Sequence, residues 1–180
     1  MEKSFETERL LLREMRTTDD AGMFELDSNP NVHRYLGNNP VKNIEESRAY
    51  IAILQQQYKE TGIRRWAVIL KSTGAFVGWA GLKLEKHPVD GQPYYDIGYR
   101  FIEAYWGKGY GSEVATAFLD YGFNVLKLPV INAYADADNA GSRKILEKSG
   151  LRLLHSFELD GLPTVWYEIK ATDFLGQNTQ

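Results

Sequence analysis

Hydrophobic and polar residues alternate over several short stretches of this chain, and a two-residue period predicts β-strands. The clearest stretch begins at Trp66 and continues through Val68 to Leu70. Turn residues at 72–74 then reverse the chain into a second strand, so the pair predicts a hairpin. By these signals we predict seven strands, at residues 9–15, 66–70, 75–84, 94–102, 129–135, 151–159 and 164–169.

Four stretches carry helical signals instead. The second has Asn43 and Glu46 as a capping-box start, apolar residues at helical spacing, and Gly62 as a stop. The first begins at residues 19–20, the third spans residues 112–126, and the fourth spans residues 139–149. The order of elements predicts an α/β fold, in which a mixed, mostly antiparallel seven-stranded sheet has helices on both faces.

Composition fits one folded domain. With 180 residues the chain is long enough to bury a core, and we expect a single domain at residues 1–175 and a disordered tail at 176–180. Cysteine is absent, which excludes disulfides, thiolate nucleophiles and cysteine zinc sites. The three histidines, His33, His87 and His155, show no metal-ligand spacing, so no metal is expected.

Charge and hydropathy argue against nucleic-acid and membrane roles. The 21 basic and 24 acidic residues leave a net charge of -3, whereas nucleic-acid surfaces need an excess of lysine and arginine. No apolar run approaches the roughly 20 residues of a membrane helix. The N-terminal residues lack the apolar stretch of a signal peptide, so we expect a cytoplasmic protein.

The segment from Trp106 to Ser112 reads Trp-Gly-Lys-Gly-Tyr-Gly-Ser and lies between a predicted strand and a predicted helix. Glycines there let the backbone approach a ligand closely, and the helix start contributes free N–H groups and a positive dipole end. Such a turn binds phosphate-like anions, although it can also be purely structural. Its spacing fits neither a P-loop nor a dinucleotide fingerprint.

Four motifs together resemble the GNAT acetyltransferase superfamily over residues 6–172. The glycine turn is similar to that family's Q/R-x-x-G-x-G/A pyrophosphate loop, with Trp106 at the Q/R position. Residues 7–13 resemble its opening strand, residues 96–99 its E-I-G-Y strand, and residues 139–151 the helix after its fifth strand. Together the four motifs point to the branch that resembles the RimJ/RimL ribosomal-protein N-terminal acetyltransferases.

The resemblance implies acetyl-CoA as the cosubstrate. Backbone groups of the glycine turn would bind its pyrophosphate, and the strand before the turn would pair with its pantetheine arm. The residues implied in cofactor binding are Phe101, Ile102, Glu103, Trp106, Gly107, Lys108, Gly109, Tyr110, Gly111, Ser112, Asn139, Ser142 and Arg143. Asn139 is equally suited to be a helix N-cap.

The resemblance also implies catalytic roles. Many members carry a tyrosine general acid at the position of Leu146, which cannot donate a proton. Ser142 lies one helical turn earlier and would take that place near the thioester sulfur, or else only cap the helix. Asp96 is the candidate general base, with an ion pair to Arg100 on the same strand face as the structural alternative.

Other residues remain open as catalytic or lining groups. The N–H of Phe101 would hold the oxyanion, and Glu103 and His155 are further base candidates. Tyr134 and Tyr167 would line an acceptor pocket or belong to the core. No feature identifies the amine acceptor, which would be a protein N-terminus or a small amine, and a homodimer is compatible with the branch. A non-catalytic acyl-CoA-binding or sensing domain, and a nucleotide-binding regulator, are the alternatives.

Overall fold

A computed structural model describes residues 4–63 and 65–177 of the chain. Its strands are β1 (Ser4–Glu6), β2 (Leu10–Arg13), β3 (Arg65–Leu70), β4 (Ala75–Lys86), β5 (Pro93–Phe101), β6 (Val130–Asp136), β7 (Arg152–Leu159) and β8 (Leu162–Lys170). Its α-helices are α1 (Asp20–Ser28), α2 (Ile44–Thr61), α3 (Tyr110–Asp120), α4 (Ala140–Lys148) and α5 (Ala171–Gln177). One π-helical turn, Tyr121–Val125, extends α3.

The strands form one sheet in the order β1-β2-β3-β4-β5-β6-β8-β7. Every neighbouring pair is antiparallel except β5 and β6, so the predicted mixed, mostly antiparallel sheet is confirmed. It has eight strands rather than seven, because residues Ser4–Glu6 add β1 at the edge. Three residues are too few to show an alternating pattern. Phe5 secures this strand by packing its ring 5.2 Å from that of Trp66 and 5.3 Å from that of Phe118.

Helices cover both faces of the sheet, as predicted, and each face has its own core. On one face, Val114 and Phe118 of α3 pack with Ile97 of β5 in a large cluster. On the opposite face, Met23 of α1 and Ile51 of α2 belong to a smaller cluster that includes strand residues.

Local capping signals explain why α2 begins and ends where the sequence predicts. The Asn43 side chain accepts a hydrogen bond from the Glu46 N–H at 3.1 Å. Gly62 adopts a φ of 69° and its N–H bonds to the Tyr58 carbonyl. At the other end of the chain α5 continues to Gln177, so the predicted tail begins inside this helix, and residues 178–180 lie outside the described residues.

Candidate active site

A gap opens in the sheet between the two parallel strands. β5 and β6 pair only where Asp96 lies opposite Asn132, whereas β5 pairs with β4 over its whole length. No other residue pair joins these two strands within the described part of the chain. The backbone of β5 after Asp96 therefore has an edge that faces the gap rather than a neighbouring strand.

The orientation of Phe101 follows from the β4–β5 ladder. The N–H of Ile102 bonds to the Val77 carbonyl at 3.0 Å, so this pair faces β4. Hydrogen-bonded and non-bonded pairs alternate along antiparallel strands, and the polar backbone groups of Phe101 therefore point toward the gap. Its carbonyl accepts a hydrogen bond from Trp106 Nε1 at 2.8 Å. The N–H of Phe101 is the group left facing the gap, whereas that of Ile102 is already bonded.

The glycine turn leads directly from the end of β5 into α3. Gly107 and Gly109 have φ values of 70° and 81°, which glycine adopts most easily. Gly109 is the N-cap, so α3 begins at Tyr110, two positions before the predicted start. The first helical N–H to bond back is that of Glu113, to the Gly109 carbonyl at 3.1 Å. The N–H groups of the preceding turn have no partner within the helix, as an anion site requires.

The first turn of α4 is tied to β5 by a tyrosine that the sequence analysis missed. The Asn139 side chain accepts a hydrogen bond from the Ser142 N–H at 3.1 Å, which is the N-cap role considered above. The Tyr99 hydroxyl donates to the Ser142 carbonyl at 3.2 Å and lies 3.4 Å from Ser142 Oγ. Burial raises the pKa of Tyr99, so its phenol stays protonated. The hydroxyls of Tyr99 and Ser142 therefore lie next to each other. Leu146, at the position of the family's tyrosine, is buried in the core and has no hydroxyl.

Arg143 and Tyr167 are bound to each other. Arg143 donates from Nε to the Tyr167 hydroxyl at 3.1 Å and from its terminal nitrogen to the Ala137 carbonyl at 2.9 Å. The Tyr167 hydroxyl donates to Glu147 at 2.8 Å. Because Tyr167 has no exposed surface, it belongs to the core rather than to the wall of an open pocket.

Asp96 forms a buried ion pair with Arg65 of β3, not with Arg100. Burial raises the pKa of the Asp96 carboxyl, and the guanidinium of Arg65 opposes that rise. Arg100 instead reaches Asp27 of α1 at 2.6 Å. The predicted alternative, an ion pair between Asp96 and Arg100, is therefore wrong, because Asp96 is paired with Arg65 instead.

Glu103 is held by two asparagines from the segment between α1 and α2. Asn29 donates to it at 2.7 Å, and Asn31 donates at 3.0 Å. These hydrogen bonds lower the pKa of the exposed Glu103 carboxyl. The side chain therefore fastens that segment beside the glycine turn.

Tyr134, Trp166 and His155 form a ladder of rings across β6, β8 and β7. Tyr134 is 44% exposed and lies parallel to Trp166 with ring centroids 6.5 Å apart. His155 is exposed, and its ring lies nearly parallel to that of Trp166 with the ring centroids 6.3 Å apart. Because Tyr134 is two positions after Asn132, the partner of Asp96, it shares a sheet face with Asp96.

Among residues 4–63 and 65–177, no group of three or more histidine, aspartate or glutamate side chains could hold a metal ion. Within the same residues, no helix has both the length and the apolar character needed to cross a bilayer.

Comparison with known sequences supports the resemblance. Residues 9–152 match the family model described as an acetyltransferase (GNAT) domain. The uncharacterised protein YkkB of Bacillus subtilis is 32% identical over 166 residues, which are 92% of this chain and 94% of that protein.

Solved structures give the same result. An acetyltransferase of the GNAT family from Bacillus anthracis superposes with a TM-score of 0.80 at 28% identity, covering 94% of this chain and 99% of that one. A spermidine N-acetyltransferase from Vibrio cholerae, solved with CoA and spermine, has a TM-score of 0.76 at 19% identity, with the same two coverages of 94% and 99%. At that identity the second likeness concerns the fold alone.

Proposed function

Because this chain belongs to the GNAT acetyltransferase domain family, we propose that it is an acetyl-CoA-dependent N-acetyltransferase. In this reaction a primary amine attacks the thioester carbonyl carbon directly, and the C–S bond breaks. The observation that carries the proposal is the gap between β5 and β6, with the Phe101 N–H at its edge and the glycine turn at its end. In this proposal the thioester carbonyl accepts a hydrogen bond from the Phe101 N–H, and the pyrophosphate accepts hydrogen bonds from the N–H groups of the glycine turn.

Each of these groups has a separate role in acetyl transfer. The N–H of Phe101 stabilises negative charge on the carbonyl oxygen, and the N–H groups from Gly107 to Ser112 bind the pyrophosphate. Ser142 passes a proton to the departing sulfur and takes one from the Tyr99 hydroxyl beside it, which is reprotonated from water. No covalent enzyme intermediate is needed, which agrees with the absence of cysteine.

The amine must lose its proton before or during attack. Asp96 stays our proposed base, acting through water, although its pairing with Arg65 makes it a weak one. Glu103 is a less suitable base than the sequence suggested, because its carboxylate accepts hydrogen bonds from Asn29 and Asn31.

We place the chain in the RimJ/RimL-like branch because Trp106 stands where the general motif has glutamine or arginine. The indole of Trp106 bonds to the Phe101 carbonyl, so it supports the turn rather than the anion. The acceptor is a primary amine on a protein N-terminus or a small molecule. The aromatic ladder of Tyr134, Trp166 and His155 is the proposed wall of its site.

The proposal is tested by supplying acetyl-CoA with a panel of amines and peptide N-termini and measuring free CoA, together with CoA binding by calorimetry. Turnover on at least one acceptor is expected. CoA binding without turnover would instead support a non-catalytic acyl-CoA-binding domain. Failure of CoA to bind would reject both, and displacement of CoA by ATP would indicate a nucleotide-binding regulator.

A further inference from the structure

One arginine from the N-terminal part of the chain is attached to the glycine turn. Arg9 lies just before β2, and its Nε is 2.7 Å from a carboxylate oxygen of Glu113 in the first turn of α3. Its terminal nitrogen donates to the Lys108 carbonyl at 2.8 Å. The guanidinium also lies 4.5 Å from the ring centroid of Tyr110, the first residue of α3. The Arg9 side chain therefore contacts the glycine turn at Lys108 and the first turn of α3 at Tyr110 and Glu113.

The partner carboxylate is itself fixed on several sides. Besides Arg9 Nε, Glu113 accepts hydrogen bonds from the Thr7 hydroxyl at 2.6 Å and from the Arg9 backbone N–H at 2.9 Å. Partial burial acts to raise the pKa of Glu113, but these hydrogen bonds outweigh it and lower the pKa below its usual range. Glu113 therefore stays ionised and holds Arg9 in one orientation.

The contact between Arg9 and Lys108 decides how one peptide group of the turn is oriented. A peptide unit is planar and trans, so the Gly109 N–H points opposite to the Lys108 carbonyl. While Arg9 holds that carbonyl, the N–H of Gly109 is directed away from the guanidinium. If the peptide rotated, the carbonyl oxygen would occupy the place of a donor and would repel an anion. Gly109 has a φ of 81° and no side chain, so its own conformation does little to prevent such a rotation.

We propose that Arg9 is a positioning residue for CoA binding, which fixes the Lys108–Gly109 peptide so that its N–H faces the pyrophosphate. Glu113 acts through Arg9 by keeping the guanidinium against the Lys108 carbonyl. The inference rests on the proposed function, since it takes the glycine turn as the pyrophosphate site. It adds two residues that lie outside the glycine motif, one of them 99 positions before Lys108.

A simpler role for Arg9 would be that of a positive charge near an anion. The two roles differ in what Glu113 and a lysine at position 9 would do. If charge alone mattered, removing the Glu113 carboxylate would strengthen CoA binding, and Arg9→Lys would bind as the wild type does. If position matters, both changes weaken binding, because a lysine cannot contact the carboxylate and the carbonyl with a planar fork.

The test is calorimetry with CoA on the wild type, R9Q, R9K and E113Q, with thermal unfolding of each variant. The matched control is R48Q, since Arg48 has the same Nε-to-carboxylate distance of 2.7 Å to Asp20 on the helices of the opposite face. We expect Kd to rise at least tenfold in R9Q and R9K and severalfold in E113Q, with no change in R48Q.

Other outcomes of these measurements would overturn the positioning role of Arg9. Tighter CoA binding by E113Q, or wild-type binding by R9K, overturns the positioning role in favour of charge. Lower melting temperatures with unchanged Kd in R9Q and E113Q show that the pair only joins the N-terminal segment to α3. Absence of CoA binding by the wild type rejects the proposed function itself. If R9Q fails to fold, R9K and E113Q still decide the question.

Discussion

The Asp96 carboxylate on β5 is paired with the Arg65 guanidinium, which reaches it from β3 across the intervening strand β4. Two glycines make this possible. Gly81 of β4 lies opposite Gly98 of β5, and a Cβ on Gly98 would come within 2.7 Å of the Arg65 guanidinium. The pair therefore depends on a channel without side chains, and it determines what a substitution of Asp96 can reveal.

Asp96→Asn is expected to destabilise the fold and to lower turnover. It leaves the buried Arg65 charge without its partner, which costs about 3 kcal/mol. Denaturant unfolding measures this loss, and calorimetry with CoA shows whether binding is kept. The double variant R65Q/D96N removes both charges and is expected to recover part of the stability. Normal turnover by a folded D96N protein would exclude Asp96 as the base.

Gly98→Ala is expected to lower the free energy of unfolding by about 1–3 kcal/mol, since the new Cβ overlaps the Arg65 guanidinium. Gly141→Ala on α4 is the control, because its nearest atom outside the local helix is 3.8 Å away and alanine favours a helix. Chemical denaturation of both variants compares the two sites. Equal stability of the two proteins would mean that Arg65 does not occupy the channel.

Tyr99→Phe is expected to reduce kcat with little change in the Kd for CoA. The substitution removes the hydroxyl that contacts Ser142 and keeps the ring in place. Steady-state kinetics and calorimetry on Y99F and S142A should show similar losses of kcat. Tyr50→Phe, on the outer surface of α2, serves as the control. A kcat unaffected in both Y99F and S142A would remove these hydroxyls from the proton transfer to sulfur.

Gly109→Asp is expected to abolish CoA binding while the protein stays folded. Its Cβ would lie 3.3 Å from a terminal nitrogen of Arg9, at a φ of 81°, so the new carboxylate adds negative charge to the turn and competes for the guanidinium that holds the Lys108 carbonyl. Gly74→Asp introduces the same side chain at a φ of 71°, on a hairpin turn with no atom within 4 Å of the new Cβ. The control should therefore bind CoA normally by calorimetry. Retained binding in G109D would show that the turn is not the pyrophosphate site.

The Glu113 hydrogen bonds predict how stability depends on pH. The pKa of Glu113 is lower in the folded protein than its ordinary value of 4.5, so the unfolded state binds more protons between the two values. The stabilisation is complete above that ordinary value and is lost as the pH falls through the folded pKa. Denaturation of the wild type and E113Q should differ at pH 7, and the difference should shrink as the pH falls below that ordinary value. Glu25→Gln, on the exposed surface of α1, is the control variant.

Features that depend on nearby residues were predictable from the sequence. The caps of α2 need only Asn43, Glu46 and Gly62, which lie within or next to the helix. The turn at Gly109 is likewise local, although α3 starts earlier because Gly109 itself serves as the N-cap.

Features that depend on strand register were not predictable. Asp96 was considered with Arg100 because alternation within one strand shows only same-strand neighbours, whereas its partner Arg65 is 31 positions away. The contact between Arg9 and Glu113 spans 104 positions and requires the opening strand to lie beside α3. Such pairs become visible only when the order of strands is known.

Within the described residues, β1–β5 and β6–β8 pair with each other only where Asp96 lies opposite Asn132, so the sheet consists of two parts joined at one point. A ligand that hydrogen-bonds along the gap would cross-link these parts in the way a missing strand would. Its affinity then depends on how closely the two parts are already held, and not only on the atoms it contacts. The Tyr99–Ser142 contact joins β5 to the helix after β6, so it is one of the bonds that hold the two parts in place for such a ligand.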